Sequence, residues 1–265
     1  MRAFVSRIAV AVVALPIVLG LVWLGGWWVF GLAAAAVLLA LHELFAMTRP
    51  LRPVTLAGFA GGLGALLGAQ LGGLEWMVAG FSVTFVLAFV LRGLAGGRAS
   101  LTASLGVTVL GAGWIGIGIA HFVLVRGIDE HGRLAAFTVL LAVFAADTAA
   151  YIAGKVFGRH RMAPAVSPGK TWEGFLVGTA ACLFVTWVSL YRTGFMDGWR
   201  SFVLGGVLAL AAVVGDLFES GLKRDMQVKD SSRLLAGHGG MLDRLDALLF
   251  SVIAAYYVIA AFDAA

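Results

Sequence analysis

Asp216, Glu219, Ser220 and Lys223 stand at i, i+3, i+4 and i+7, so a helix running through them presents all four on one face. Asp243 and Asp246, three apart, share a face of a following helix. Between the two pairs of acids runs a polar segment carrying Lys223, Arg224, Lys229, Arg233 and Arg244, with Asp225, Asp230, His238 and the pair Gly239 and Gly240. Mg²⁺ prefers a few carboxylates plus the oxygens of a bound phosphate, and Asp216, Asp243 and Asp246 are the natural ligands of such an ion. Lysines and arginines beside them would neutralise phosphate oxygens and stabilise the charge that develops in phosphoryl or nucleotidyl transfer. Spacing alone leaves three readings open: a metal-assisted phosphate site, salt bridges in a polar loop, or the in-membrane acids of an ion-coupled transporter.

The elements that must position these groups are apolar. Of 265 residues, 61% are hydrophobic and 12% charged, and the mean hydropathy is +0.99, whereas a soluble domain is about 25% charged. A water-soluble globule is excluded, and the reading is an all-α, polytopic integral membrane protein. Runs near the roughly 20 residues that span a bilayer give nine candidate helices. They are Ile8 to Leu24, Trp27 to Ala46, Val54 to Gly72, Trp76 to Leu91, Leu105 to Val125, Ala135 to Val156, Phe175 to Tyr191, Phe202 to Ser220 and Leu245 to Phe262. The first, preceded by Arg2 and Arg7, has no polar mature domain after it, so it reads as a retained helix rather than a signal peptide.

Cytoplasmic loops collect Lys and Arg. With the N-terminus inside, nine spans place 15 of the 19 basic residues in inner segments and leave Arg126, Arg133, Arg192 and Arg200 outside. That asymmetry predicts a cytoplasmic N-terminus and puts the polar segments 157–174 and 221–244 inside. The net charge of +5 then reflects topology and phosphate-bearing partners, not nucleic acid. Residues 1–130 read as scaffold helices and 131–265 as the region of chemistry. Gly58 and Gly62, and Gly64, Gly68 and Gly72, have the four-residue spacing that lets helices approach closely. The one cysteine, Cys182, lies in an apolar run and reads as a buried, inert thiol.

Three short patterns fail on context. Gly111, Gly113 and Gly116 spell GxGxxG inside an apolar span with no strand before it. Gly169, Lys170 and Thr171 end like a Walker A loop, but its first glycine would fall at Pro164. His42 and Glu43 begin HExxH, yet position 46 is alanine. These two residues are expected at a helix end near the membrane interface.

The stretch Ser220, Gly221, Leu222, Lys223, Arg224, then Lys229, Asp230, then His238, Gly239, Gly240, Met241, Leu242, Asp243, Arg244, Leu245, Asp246 closely resembles the signature of phosphatidate cytidylyltransferases, also called CDP-diglyceride synthases. Ala236 departs from it, standing where the family usually has proline, glycine or serine. A second stretch agrees: Asp147, Thr148, Ala149, Ala150, Tyr151, then Lys155, Phe157, Gly158, and Ser167, Pro168, Gly169, Lys170, Thr171, Trp172, Glu173, Gly174. Asp147, Tyr151 and Lys155 at i, i+4 and i+8 line one helix face. The likeness covers the C-terminal half; the first 130 residues match only as apolar helices.

The resemblance implies conversion of CTP and phosphatidate to CDP-diacylglycerol and pyrophosphate, with Mg²⁺ required and K⁺ associated with the site. It implies a dimeric, all-helical bundle, in a bacterial cytoplasmic membrane with the site on the cytoplasmic face. By motif position, Asp216, Asp243 and Asp246 hold metal. Lys223, Arg224, Asp230, His238 and Asp246 are the catalytic set, and Asp147, Tyr151, Ser167, Lys170, Thr171, Ser220, Lys229, Gly239, Gly240 and Arg244 bind substrate. A polyprenol kinase-like CTP enzyme and an ion-coupled transporter are the alternatives. The transporter gives no reason for the copied signature.

Overall fold

The computed structural model of the chain describes residues 15–95, 100–232 and 240–263, and its regular structure is almost wholly helical. In chain order the helices are α1 (Leu15–Leu24), α2 (Gly26–Met47), α3 (Thr55–Ala95), α4 (Leu101–Gly111), α5 (Gly118–Arg126), α6 (Gly132–Phe157), α7 (Trp172–Leu190), α8 (Trp199–Asp225) and α9 (Leu242–Asp263). A π-helical turn, Ala112–Ile117, joins α4 to α5 without a break. Counting α4 to α5 as one, seven helices among the described residues are long and apolar enough to cross a bilayer. Large apolar side chains, Trp27, Trp28, Trp76, Phe85 and Phe89 among them, stand exposed. A water-facing surface does not tolerate so much of this; it is the surface of an integral membrane protein.

The chain divides into two units, one drawn from Met1–Gly127 and Met226–Arg244, the other from Ile128–Asp225 and Leu245–Ala265.

In the first unit α3 is not one long rod. Gly72 (φ −149°, ψ 17°) and Gly73 (φ 72°, ψ −151°) leave helical geometry, and Gly73 adopts the positive φ that glycine alone takes without strain. The two halves fold back on each other. A Cβ at Gly64 would sit 2.9 Å from the Gly80 carbonyl oxygen, and one at Gly68 would strike the Trp76 carbonyl. The glycine spacing read as packing does pack, and the runs Val54 to Gly72 and Trp76 to Leu91 are the two arms of this hairpin. The GxGxxG decoy also resolves into packing: Gly116 meets Gly62 backbone to backbone, and Gly111 lies under Phe45, Leu44 and Leu41.

In the second unit α6 and α7 lie against each other along a stripe of small residues. A Cβ on Gly174 would come 2.7 Å from the Ala150 carbonyl, and one on Gly178 would come 2.8 Å from that of Ala146. Cys182 is fully buried, as expected. On α8, Gly215 gives the room for α9 to bring the Asp246 backbone against it. Segment 157–174, read as a loop, contains a short antiparallel hairpin, β1 (Arg161–Ala163) and β2 (Ser167–Thr171), with Arg161 opposite Thr171 and Ala163 opposite Ser167. Segment 221–244 is shorter than expected as a loop, because α8 stays helical to Asp225 and α9 starts at Leu242.

Candidate functional site

The second unit holds a cavity of about 580 Å³ at one end of its helices. Its walls come from the C-terminal half of α6, the middle of α8, the hairpin, the start of α7 and Ala247 of α9. From α6 come Asp147, Tyr151 and Lys155, the three residues whose spacing puts them on one face, and all three line it. Lys155 lies over the Tyr151 ring, its Nζ 5.9 Å from the centroid. From the hairpin come Arg161, Ser167, Lys170 and Thr171, and from α8 comes Asp216. Small residues floor the cavity: Ala146, Ala150, Gly154, Gly174 and Gly178. The same absence of side chains that lets α6 and α7 approach leaves this space open.

Local structure fixes the polar groups. Thr171 ends β2 in extended geometry (φ −128°, ψ 153°) and caps α7, its hydroxyl accepting from the Gly174 N–H at 3.1 Å. Glu173, in the first turn of α7, accepts from the N–H groups of Arg159 and His160 at 3.1 and 3.2 Å and pairs with His160 Nδ1 at 2.6 Å. The chain entering β1 is thereby tied to the start of α7. Arg224 donates from Nε to the Val166 carbonyl at 3.2 Å, which holds the tip of the hairpin to the end of α8. Lys170 reaches Asp216 with Nζ 2.6 Å from Oδ2.

Just beyond the cavity wall the acids of α8 and α9 meet. Asp246 lies beside Asp216 and Glu219. Glu219 is 1% exposed and accepts from Lys223 Nζ at 3.0 Å, while its Oε1 has no hydrogen-bond partner among the described residues. Ser220 is half-buried on α8 and does not line the cavity.

Asp243 belongs to the first unit and is engaged otherwise. Its carboxylate accepts from the Gly240 N–H at 2.8 Å and from the Ser231 N–H and hydroxyl at 3.3 and 3.0 Å. It thus fastens the start of α9 to the segment before it. Among the described residues no three acidic, histidine or cysteine side chains converge as the ligands of one ion. Lys229, Asp230 and Arg244 are exposed in the first unit, and Gly240 is buried there. His238, Gly239 and the departure at Ala236 lie outside the described residues.

Sequence reasoning assigned no role to Arg161, Glu219 or Glu43. Arg161 carries no spacing signal and enters the cavity only because β1 pairs with β2. Glu219 was visible as a member of the α8 face. Glu43 was set aside with the failed HExxH pattern, yet it is fully buried.

A sequence model of the cytidylyltransferase family matches residues 5–262. The phosphatidate cytidylyltransferase of Mycobacterium bovis is 34% identical over 267 residues, covering 93% of this chain and 85% of its own length. Proteins of the same name from Staphylococcus haemolyticus and Staphylococcus aureus are 41% and 42% identical over 143 residues, 54% of either chain in each pair.

Proposed function

This chain belongs to the cytidylyltransferase family, and on that premise we propose that it transfers the cytidylyl group of CTP to phosphatidate, releasing pyrophosphate and forming CDP-diacylglycerol. One observation carries the reading from family to chemistry: Lys155, Arg161 and Lys170 share the wall of one cavity with Asp147 and Asp216.

A phosphate oxygen of phosphatidate attacks the α-phosphorus of CTP. A new P–O bond forms, the bond from the α-phosphorus to the bridging oxygen breaks, and its electron pair leaves with pyrophosphate. The phosphomonoester is already ionised near neutrality, its second pKa being about 6, so no serine, cysteine or histidine base is needed. The obstacle is electrostatic, the meeting of two polyanions. Lys155, Arg161 and Lys170 would draw the phosphates in and hold them, and Asp147 and Tyr151 would orient the remaining polar groups. By motif position Lys223, Arg224, Lys229, Asp230, His238 and Arg244 belong to the same machinery.

The donors of the second unit fit Mg²⁺. Asp216 and Asp246 are neighbouring carboxylates, and this ion is commonly held by one or two carboxylates with substrate phosphates completing its oxygen shell. Asp216 and Asp246 would hold it, and Asp243 is assigned to it by motif position alone. Bound there, Mg²⁺ would neutralise phosphate charge and favour pyrophosphate as a leaving group. K⁺ is proposed from the resemblance alone.

The distribution of basic residues supports nine spans with a cytoplasmic N-terminus, and so a site at the cytoplasmic face of a bacterial inner membrane. There CTP arrives from water and phosphatidate from the leaflet. A homodimer is proposed from the resemblance. The deciding experiment gives the detergent-purified protein phosphatidate, CTP and Mg²⁺, with ATP, GTP and UTP as controls. Pyrophosphate release specific to CTP, with CDP-diacylglycerol identified by mass, is expected. A folded, nucleotide-binding protein that releases none overturns the proposal and makes polyprenols the next acceptors to test.

A further inference from the structure

Glu43 sits near the C-terminal end of α2, among the apolar residues Leu41, Leu44 and Phe45, with no exposed surface. A carboxylate in such a place needs a full set of partners, and Glu43 has one. Oε1 accepts from the Ser232 hydroxyl at 2.5 Å and the Met241 N–H at 2.9 Å. Oε2 accepts from the Leu242 N–H at 2.8 Å and shares the Ser231 hydroxyl, 3.2 Å away, with Asp243 Oδ2. One side chain of α2 therefore joins residues 231–232 to residues 241–242, the two flanks of positions 233–239. The two amides belong to the start of α9, where N–H groups have no intrahelical acceptor. Gly240 is part of the arrangement, because a Cβ there would come 2.5 Å from Glu43 Oε2 and strike the Ser231 hydroxyl.

The residues so held are those of the motif. Lys229, Asp230, Asp243 and Arg244 lie within two positions of a Glu43 partner. Asp243 accepts from Ser231 and Gly240 in the same cluster. We propose that Glu43 is a positioning residue for the cytidylyl transfer: its carboxylate holds residues 231–232 and 241–242 of the motif in place, so α2 supplies part of the catalytic apparatus rather than scaffold alone. The catalytic half of this inference rests on the activity proposed above, whereas the clamp itself does not.

The geometry makes glutamine a poor substitute. The two backbone donors go to different oxygens, so in either orientation of a glutamine amide one N–H faces another donor. Aspartate keeps both acceptors but is one methylene shorter. Two readouts test the proposal on Glu43→Gln and Glu43→Asp. The first is amide hydrogen exchange over Gly240–Leu245 in detergent. Loss of one acceptor should speed exchange at Met241 or Leu242 by about tenfold or more in Glu43→Gln, with a smaller change in Glu43→Asp. Exchange as slow as wild type in both variants overturns the clamp, whatever the enzyme's activity. The second is steady-state kinetics. Misplaced phosphate-binding groups should raise KM for CTP about tenfold in Glu43→Gln, with partial recovery in Glu43→Asp. A fall in turnover that only tracks the loss of folded protein, with KM unchanged, overturns the positioning role. If wild type itself makes no CDP-diacylglycerol, the proposed activity fails and the exchange experiment still decides the clamp.

Discussion

Lys170 Nζ lies 2.6 Å from Asp216 Oδ2, so strand β2 is tied to helix α8 across the wall of the cavity. Both side chains are half-buried, at 19% and 28% exposed, and an ion pair that still reaches water contributes about 1 kcal/mol or less to stability. A lysine held in this way is a cation stored at the point where a phosphate must arrive. Lys170→Ala should lower kcat/KM by about 100-fold or more, while the melting temperature in detergent moves by only a few degrees. Lys170→Arg should recover part of the activity at most, since a planar guanidinium does not replace a compact ammonium. Wild-type kcat/KM in Lys170→Ala would remove this residue from the site.

Asp246→Asn keeps the shape of the side chain and removes the charge beside Asp216. The backbone of Asp246 packs on Gly215 and is untouched by the change, so insertion and melting should match wild type. Pyrophosphate release should fall by about 1,000-fold, the scale expected when an electrostatic element of a transfer site is lost. Activity near normal in a folded Asp246→Asn protein would leave Asp216 without its expected companion.

Glu219 and Lys223 are a turn apart on α8, and the glutamate is almost fully enclosed. Breaking a buried pair by removing one of its members costs about 3 kcal/mol or more. Glu219→Ala should therefore show a clear loss of thermal stability, whereas Lys170→Ala should not. Equal melting temperatures for Glu219→Ala and wild type would mean that Lys223 finds another anion.

What could be read from the sequence follows from the range of each interaction. Asp147, Tyr151 and Lys155 were legible as a set because one helix fixes their common face, and all three line the cavity. The stretches 147–174 and 220–246 were legible through resemblance to the family, and the family match bears that resemblance out. The β1–β2 hairpin was not legible: Ser167, Pro168, Gly169, Lys170 and Thr171 show no apolar alternation, and their pairing depends on Arg161 and Ala163 across a tight turn. Arg161 was lost with it. Glu43 was illegible for a different reason, since its partners stand 188 to 199 residues away and its own neighbourhood is only an apolar helix. The short pattern around it fails as a metal motif, and nothing in it points to the backbone amides and serine hydroxyls that the carboxylate serves.

The packing of α6 on α7 offers a test that leaves every charged group in place. Gly178 faces the Ala146 carbonyl and the Ala150 side chain, and an added Cβ would lie 2.8 and 2.9 Å from them. Gly178→Ala must push the helices apart, at a cost of about 1–3 kcal/mol. Because Ala146 and Ala150 bracket Asp147 on α6, the shift should also raise KM for CTP. A variant with normal stability and normal KM would show that this contact yields without moving the cavity wall.

Side-specific labelling tests the proposed topology through α8. Cys182 has no exposed surface, so a membrane-impermeant maleimide should leave the native protein unmodified and Cys182→Ala should keep full activity. In that background Tyr191→Cys, in the segment before α8, and Asp225→Cys, at its end, replace exposed side chains. If α8 crosses the bilayer with its acidic end inside, intact cells should label the first and not the second, and inverted vesicles the reverse. Labelling of both from one side would mean that α8 does not span, and the count of basic residues would then support a different arrangement. Labelling on opposite sides but in the reverse sense would put Asp216 and Lys223 on the outer face, away from CTP, and would remove the physical basis for the proposed reaction.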